Sequence, residues 1–79
     1  MEVNLLAFGI TRDIFRASSL TINIREGSVL VLKQELENAF PELKQLSTYM
    51  VAVNNEYASD ATVLSDKDEV AIIPPVSGG

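Results

Sequence analysis

Two short runs, one near each end of the chain, are apolar on both faces. "EVNLLAF" carries Val3 and Leu5 on one side of an extended strand and Leu6 and Phe8 on the other. "EVAIIPP" carries Val70, Ala71, Ile72 and Ile73 in succession. Successive strand residues point to opposite faces, so a run apolar on both suits the interior of a sheet rather than its edge. With 79 residues the chain is one domain, near the size at which a single core only just offsets chain entropy. No cysteine is present to staple it. The most economical core sets the two runs side by side at the sheet centre.

The segments between them supply the remaining layer. "SLTINI" alternates, with Leu20, Ile22 and Ile24 on one face and Thr21 and Asn23 on the other, as a half-buried strand does. "ITRDIFRASS" is short and mixed, enough for one helical turn. From Ser28 to Phe40 the spacing of Val29, Leu32, Leu36, Ala39 and Phe40 follows one helical face. Ser28 is placed to cap the helix, and Pro41 to end it, because the residue before a proline is driven from helical geometry. "YMVAVN" reads as a strand with Tyr49, Val51 and Val53 on one side. "NNE" reads as a tight turn, "YASD" as a short return strand and "SDKD" as a further turn. Gly9 and Gly27 read as turn glycines. One helix across one face of a mixed sheet is an α+β, ubiquitin-like β-grasp arrangement. The expected domain spans residues 1–75, followed by a flexible Gly-Gly tail at 76–79. Helix residues Val29, Leu32, Leu36 and Phe40 are expected to face Val3, Leu5, Ile22, Val51 and Ile72.

Composition removes whole classes of chemistry. Without histidine or cysteine there is no Ser–His triad, no Cys–His pair and no zinc finger. Eleven acids against six bases, a net charge of −5, argue against nucleic acid and against an anionic membrane surface. "MEVNLLAFGITRD" has an acid where a signal peptide needs bases, so the cytoplasm is the expected location. Asp60, Asp66, Asp68 and Glu69 lack the spacing and glycine of a calcium loop.

The final residues, "PPVSGG", carry the strongest chemical signal. Pro74 and Pro75 stop ladder pairing and start a stiff, extended exit. Six residues from Pro74 to Gly79 reach at most about 20 Å. Gly78 and Gly79 lack Cβ atoms and can thread a narrow channel. An α-carboxylate is unreactive until it gains a leaving group, which adenylation would supply. A bare Gly-Gly is equally the composition of an inert, frayed end. Its position directly after the prolines that end an inferred central strand favours the chemical reading.

"DKDEVAIIPPVSGG" resembles the end of the small subunit of molybdopterin synthase, the MoaD-type sulfur carriers, with Asp68, Glu69, Val70, Pro74, Pro75, Val76, Ser77, Gly78 and Gly79 matching in place. "VNLLAFGITRDIF", the helix ending at Phe40-Pro41 and "VAVNNEY" resemble the rest of that family more thinly. Two departures are Lys67, where the family's acidic turn usually has glycine, and "FRASS", where a glycine often follows the Arg-Asp segment. The resemblance implies that Gly79 is the reacting group, adenylated and then converted to a thiocarboxylate. It implies that Pro75, Val76, Ser77 and Gly78 form a tail bound by a partner. Expected partners are a large synthase subunit in a heterotetramer, an ATP-dependent adenylating enzyme and a sulfurtransferase. No cofactor bound to this chain is implied; ATP belongs to the activating partner. The chain would act as the sulfur-donor subunit of a transferase, with no autonomous active site. The substrate implied is cyclic pyranopterin monophosphate.

The same terminus also fits a ubiquitin-like protein modifier or the sulfur carrier of thiamine thiazole synthesis, although the latter usually lacks the Pro-Pro step. A plain binding module with an inert tail is a third class. Among other residues, Phe8, Ile73 and Val76 are candidate apolar anchors for a partner, with Phe8 expected in the core. Glu35, Glu37 and Glu42 read first as a solvated helix face, and Asp66, Asp68 and Glu69 first as turn chemistry.

Overall fold

The computed structural model of the protein describes residues 1–46 and 48–75. Strands β1 (Glu2–Ala7), β2 (Ser19–Asn23), β3 (Met50–Val53), β4 (Glu56–Tyr57) and β5 (Glu69–Ile73) form one five-stranded sheet in the order β2-β1-β5-β3-β4. The two doubly apolar runs are therefore neighbours, and β5 is the middle strand. They pair in parallel, with Leu5 opposite Val70 and Ala7 opposite Ile72; the β1–β2, β3–β5 and β3–β4 pairs are antiparallel.

Register converts sequence alternation into a core. Leu20, Leu5, Val70 and Val53 form one cross-strand row, and Ala7, Ile72 and Val51 form the next. These residues face the main helix, α2 (Val29–Ala39), which buries Val29, Leu32 and Leu36. Ser28 caps it as expected, its hydroxyl accepting from the Val31 amide at 3.2 Å. Leu36 is 0% exposed at the centre of this layer. Leu36→Ala is expected to cost roughly 2–5 kcal/mol, a large share of a small domain's stability, read as a lower urea midpoint. An unchanged midpoint would contradict the packing.

Three local features depart from the sequence reading. Val31 is buried while Ala39 is exposed. The segment from Asp60 to Leu64 wraps the N-terminal turn of α2: the Val29 and Leu30 amides donate to Thr62 and Asp60 carbonyls, so that turn is covered on more than its sheet side. At the other end, Phe40 turns extended ahead of Pro41, and its ring meets Phe15 at 4.8 Å, leaving Ala39 outside. Pro41 then opens a 3-10 segment, Pro41–Gln45, that drives Leu43 into the core. Gly27 permits a close approach, since a Cβ there would lie 2.8 Å from the Leu64 carbonyl oxygen.

The "NNE" turn forms as read: Asn54 and Asn55 take φ of 52° and 69°, which asparagine tolerates, and the return strand is the two-residue β4. The short helix expected after Gly9 is α1 (Ile10–Phe15). The radius of gyration, 11.6 Å, agrees with a compact chain of this length. The expected flexibility of 76–79 falls outside the described residues.

Candidate functional site: the central strand exit and the open sheet face

With α2 on one side, the other face of the sheet has no second layer among the described residues. Its middle is a row of Leu6, Ala71, Ala52 and Tyr57, with Ile73 and Met50 paired beside it. Both runs were expected at the sheet centre under one helix, and β1 and β5 stand there. Only the helix side is fully buried, while Phe8, Met50 and Tyr57 are exposed on or beside the open side. Phe8, expected in the core, is 49% exposed. β1 stops pairing at Ala7, and Gly9 turns the chain with φ of 55°, so Phe8 falls beyond the last covered row.

Phe8, Ala52, Tyr57, Ala71 and Ile73 line a shallow cleft of about 280 Å³, with Asn55 and Glu69 at its border. That lies just below the roughly 300–1,000 Å³ of small-molecule pockets, a scale better matched to a side chain of another protein. Two alanines form the floor and two aromatics the rim, so a protruding apolar group can enter without displacing backbone. Phe8 and Ile73, named as anchors from the sequence, are brought together here. Tyr57 and Ala52 were not anticipated. The signal for them was available only once the β3–β5 register set Ala52 against Ala71.

β5 leaves this face through Ile73 into Pro74 and Pro75, both half-buried. Of the tail residues singled out by sequence, Pro75 stands at the foot of this exit. Val76, Ser77, Gly78 and Gly79 lie outside the described residues. A buried hydroxyl sits next to the exit. Thr11 donates to the Phe8 carbonyl at 2.6 Å and accepts from the Phe8 amide at 2.9 Å, and its oxygen lies 3.3 Å from the Ile72 carbonyl. Pro74 packs over Gly9, where a Cβ would stand 3.1 Å from the proline Cγ.

The acidic residues are engaged in the frame. Glu35 pairs with Arg25 at 2.7 Å, and Glu37 accepts from the Tyr49 hydroxyl at 2.5 Å. Burial, then the Glu37 hydrogen bond and the charges of Glu37 and Asp60, push the Tyr49 hydroxyl well above the ordinary phenol value, so it stays protonated. Lys33 bonds Asp60 at 2.8 Å and lies 5.6 Å from the Tyr49 ring centre. Glu42 is exposed.

Asp68 accepts from the Ser65 amide at 2.8 Å and from the Asn54 side chain at 2.9 Å. Asn54 in turn exchanges backbone and side-chain bonds with Glu69 at the start of β5. This is the turn chemistry read from the sequence, and it forms with Lys67 in place of the usual glycine. The Ser65 amide, then Asn54, hold the Asp68 carboxyl below the ordinary aspartate value. A lowered folded-state pKa gives stability that is full above the unfolded value, near pH 4, and lost as pH falls through the folded value. Asp68→Asn is expected to flatten the acid side of a plot of urea midpoint against pH. An unchanged acid limb would contradict the role of this loop. Among the described residues no group of three or more acids could hold a metal ion, and no helix is long and apolar enough to cross a membrane.

One main helix, α2, on a mixed five-stranded sheet, with the last strand in the middle and leading out beside an apolar face, defines a ubiquitin-like β-grasp protein. Within that class, the chain belongs to the ThiS family, whose model matches residues 5–79. It is similar to the molybdopterin synthase sulfur carrier subunit of Arabidopsis thaliana, 36% identical over 81 residues that cover 100% of this chain and 84% of that one. The subunit of the same name from Mycobacterium tuberculosis is 35% identical, covering 100% of this chain and 99% of that one. Among solved structures, it resembles a chain in the complex of subunits 1 and 2 of the molybdopterin-converting factor from Helicobacter pylori, with TM-score 0.69, 25% identity and full coverage of both chains. Small archaeal modifier protein 1 from Methanosarcina acetivorans shares the fold, with TM-score 0.82, 24% identity and coverage of 99% and 96%.

Proposed function

We propose that this chain is the sulfur carrier subunit of a molybdopterin synthase and that its reacting group is the Gly79 carboxyl. One observation carries the reading: the central strand leads into the tail at the border of an apolar face that no other element among the described residues covers. A partner seated on that face receives the tail at a fixed entry point. The H. pylori likeness supports a large synthase subunit as that partner. The curated relatives support sulfur as the cargo.

The chemistry follows from what the chain has and lacks. A carboxylate oxygen of Gly79 attacks the α-phosphorus of ATP on an adenylating enzyme, and pyrophosphate leaves. The mixed anhydride is an activated acyl group. A sulfurtransferase then delivers sulfur at the sulfide level: its electron pair forms the C–S bond at the carbonyl carbon, the C–O bond to AMP breaks and AMP departs, and a thiocarboxylate results. Gly78 and Gly79 let this slim end enter the large subunit, where sulfur passes to cyclic pyranopterin monophosphate to build the dithiolene. Water returns the carboxylate. In this scheme ATP binds the activating partner, and the body of this chain serves for docking. Reconstitution with the large subunit, adenylating enzyme, ATP and a sulfur source tests the reading. Conversion of the cyclic pterin only when this chain is present is the expected result. Equal conversion without it would refute the proposal.

A further inference from the structure

The structure assigns Gly9 and Thr11 as positioning residues that set the direction in which the tail leaves the sheet. The inference rests on the sulfur-carrier reading for its kinetic consequence, and on geometry alone for its structural one. Thr11 is fully buried on the first turn of α1, yet its hydroxyl reaches two strands. It bonds both backbone groups of Phe8, just past the end of β1, and lies 3.3 Å from the Ile72 carbonyl, two residues before Pro74. A hydroxyl has one proton to give. That proton goes mainly to Phe8, with Ile72 as the longer second acceptor, so one group ties the ends of β1 and β5 together across 61 residues of chain.

Gly9 completes the clamp from the other side. Its φ of 55° and ψ of −132° belong to a region that side-chain-bearing residues rarely adopt. Pro74 occupies the space where its Cβ would stand. The proline ring is thus seated on bare backbone at the last point before the tail. Direction matters here because the reacting atom is remote: up to about 20 Å of chain follows Pro74, so the heading fixed at Pro74 sets where the tail begins its approach to a partner, and misplacement by about 1 Å at the reacting atom can cost on the order of a hundredfold in rate. Part of that loss is recovered when the partner grips the tail, so about a tenfold fall in turnover is expected.

The test uses the full chain as wild type, Thr11→Val, Thr11→Ser and Gly9→Ala. Nuclear Overhauser contacts between the Pro74 ring and Gly9 report the exit directly. ATP–pyrophosphate exchange with the adenylating enzyme reports its consequence. Thr11→Val and Gly9→Ala should lose the Pro74–Gly9 contacts. Their kcat should fall about tenfold with KM within about twofold, because docking through the open sheet face is intact. Thr11→Ser, which keeps the hydroxyl, should restore both. A folded Thr11→Val chain that keeps the contacts and the wild-type kcat, or that raises KM alone, overturns the assignment. If Thr11→Val does not fold, Gly9→Ala is judged by the same criteria. If the wild type itself supports no exchange, the Gly79 reading has failed, and the contacts alone decide the clamp: retained in the variants they overturn it, lost and recovered in Thr11→Ser they support it.

Discussion

Removing Gly79 alone is expected to reduce sulfur delivery to background while leaving the denaturation midpoint where it is in the full chain. The chain has no cysteine and no histidine, so the usual side-chain routes for carrying sulfur are missing. An α-carboxyl on Gly78 would still exist after the deletion, but one residue short of the reacting position, a displacement of about 3.5 Å. Catalysis that depends on near-attack geometry does not tolerate that shift. Terminal residues beyond the last strand contribute little to packing, which is why stability should not follow activity. Gly78→Val is expected to act almost as strongly, because a β-branched side chain widens a segment that the proposed delivery sends through a narrow channel, and restricts its backbone. Ser77→Ala should matter less, since acyl activation needs no hydroxyl. The readout is pterin sulfuration in the reconstituted system. Wild-type delivery by the chain lacking Gly79 would contradict the assignment.

Ala71→Arg is expected to weaken association with the large subunit at least a hundredfold, about 2.7 kcal/mol or more, with little change in the urea midpoint. Ala71 sits on β5 between Leu6 and Ala52, at the floor of the cleft rimmed by Phe8 and Tyr57. An arginine there fills the space an incoming side chain needs and puts a charge into the apolar contact, where leaving it unpaired is costly. The fold should survive because this face lies opposite the helix-covered core. Asn38→Arg adds the same charge to an exposed position on α2 and serves as the control, with binding expected to be unchanged. Binding measured by titration calorimetry decides it. Equal affinities for the two variants would remove the open face from the interface.

Most of the frame was legible because it rests on periodicity. The strands and α2 each have a pattern of two or 3.6 residues, and the caps and turns at Ser28, Pro41 and Asn54-Asn55 have local chemistry behind them. What periodicity does not reveal is which elements cover which face. Double apolarity in β1 and β5 was read as a place inside the sheet, which both strands take, with one helix across one face; it left open what meets the face opposite α2. The second apolar face, with Phe8 exposed beside it, was implied by that count of elements and went unread. The Pro41–Gln45 segment that buries Leu43 follows from tertiary contact rather than from any repeat. Thr11 gives no sequence signal at all, since one buried hydroxyl in a mixed segment looks like any surface threonine. The terminal motif stands out in the sequence itself, whereas the places of Thr11 beside the ends of β1 and β5 and of Ala52 and Ala71 in the cleft required the β1–β5 and β3–β5 registers.

The central claim is that Gly79 carries sulfur as an acyl group, and intact mass tests it most directly. The full chain is incubated with adenylating enzyme, ATP and a sulfur source, then weighed beside the chain lacking Gly79. The account predicts one gain in the full chain, equal to the replacement of one oxygen by one sulfur, and none in the truncated chain. An unchanged mass in the full chain under conditions where the enzyme consumes ATP with it, or adducts joined through lysine in place of that exchange, would contradict it.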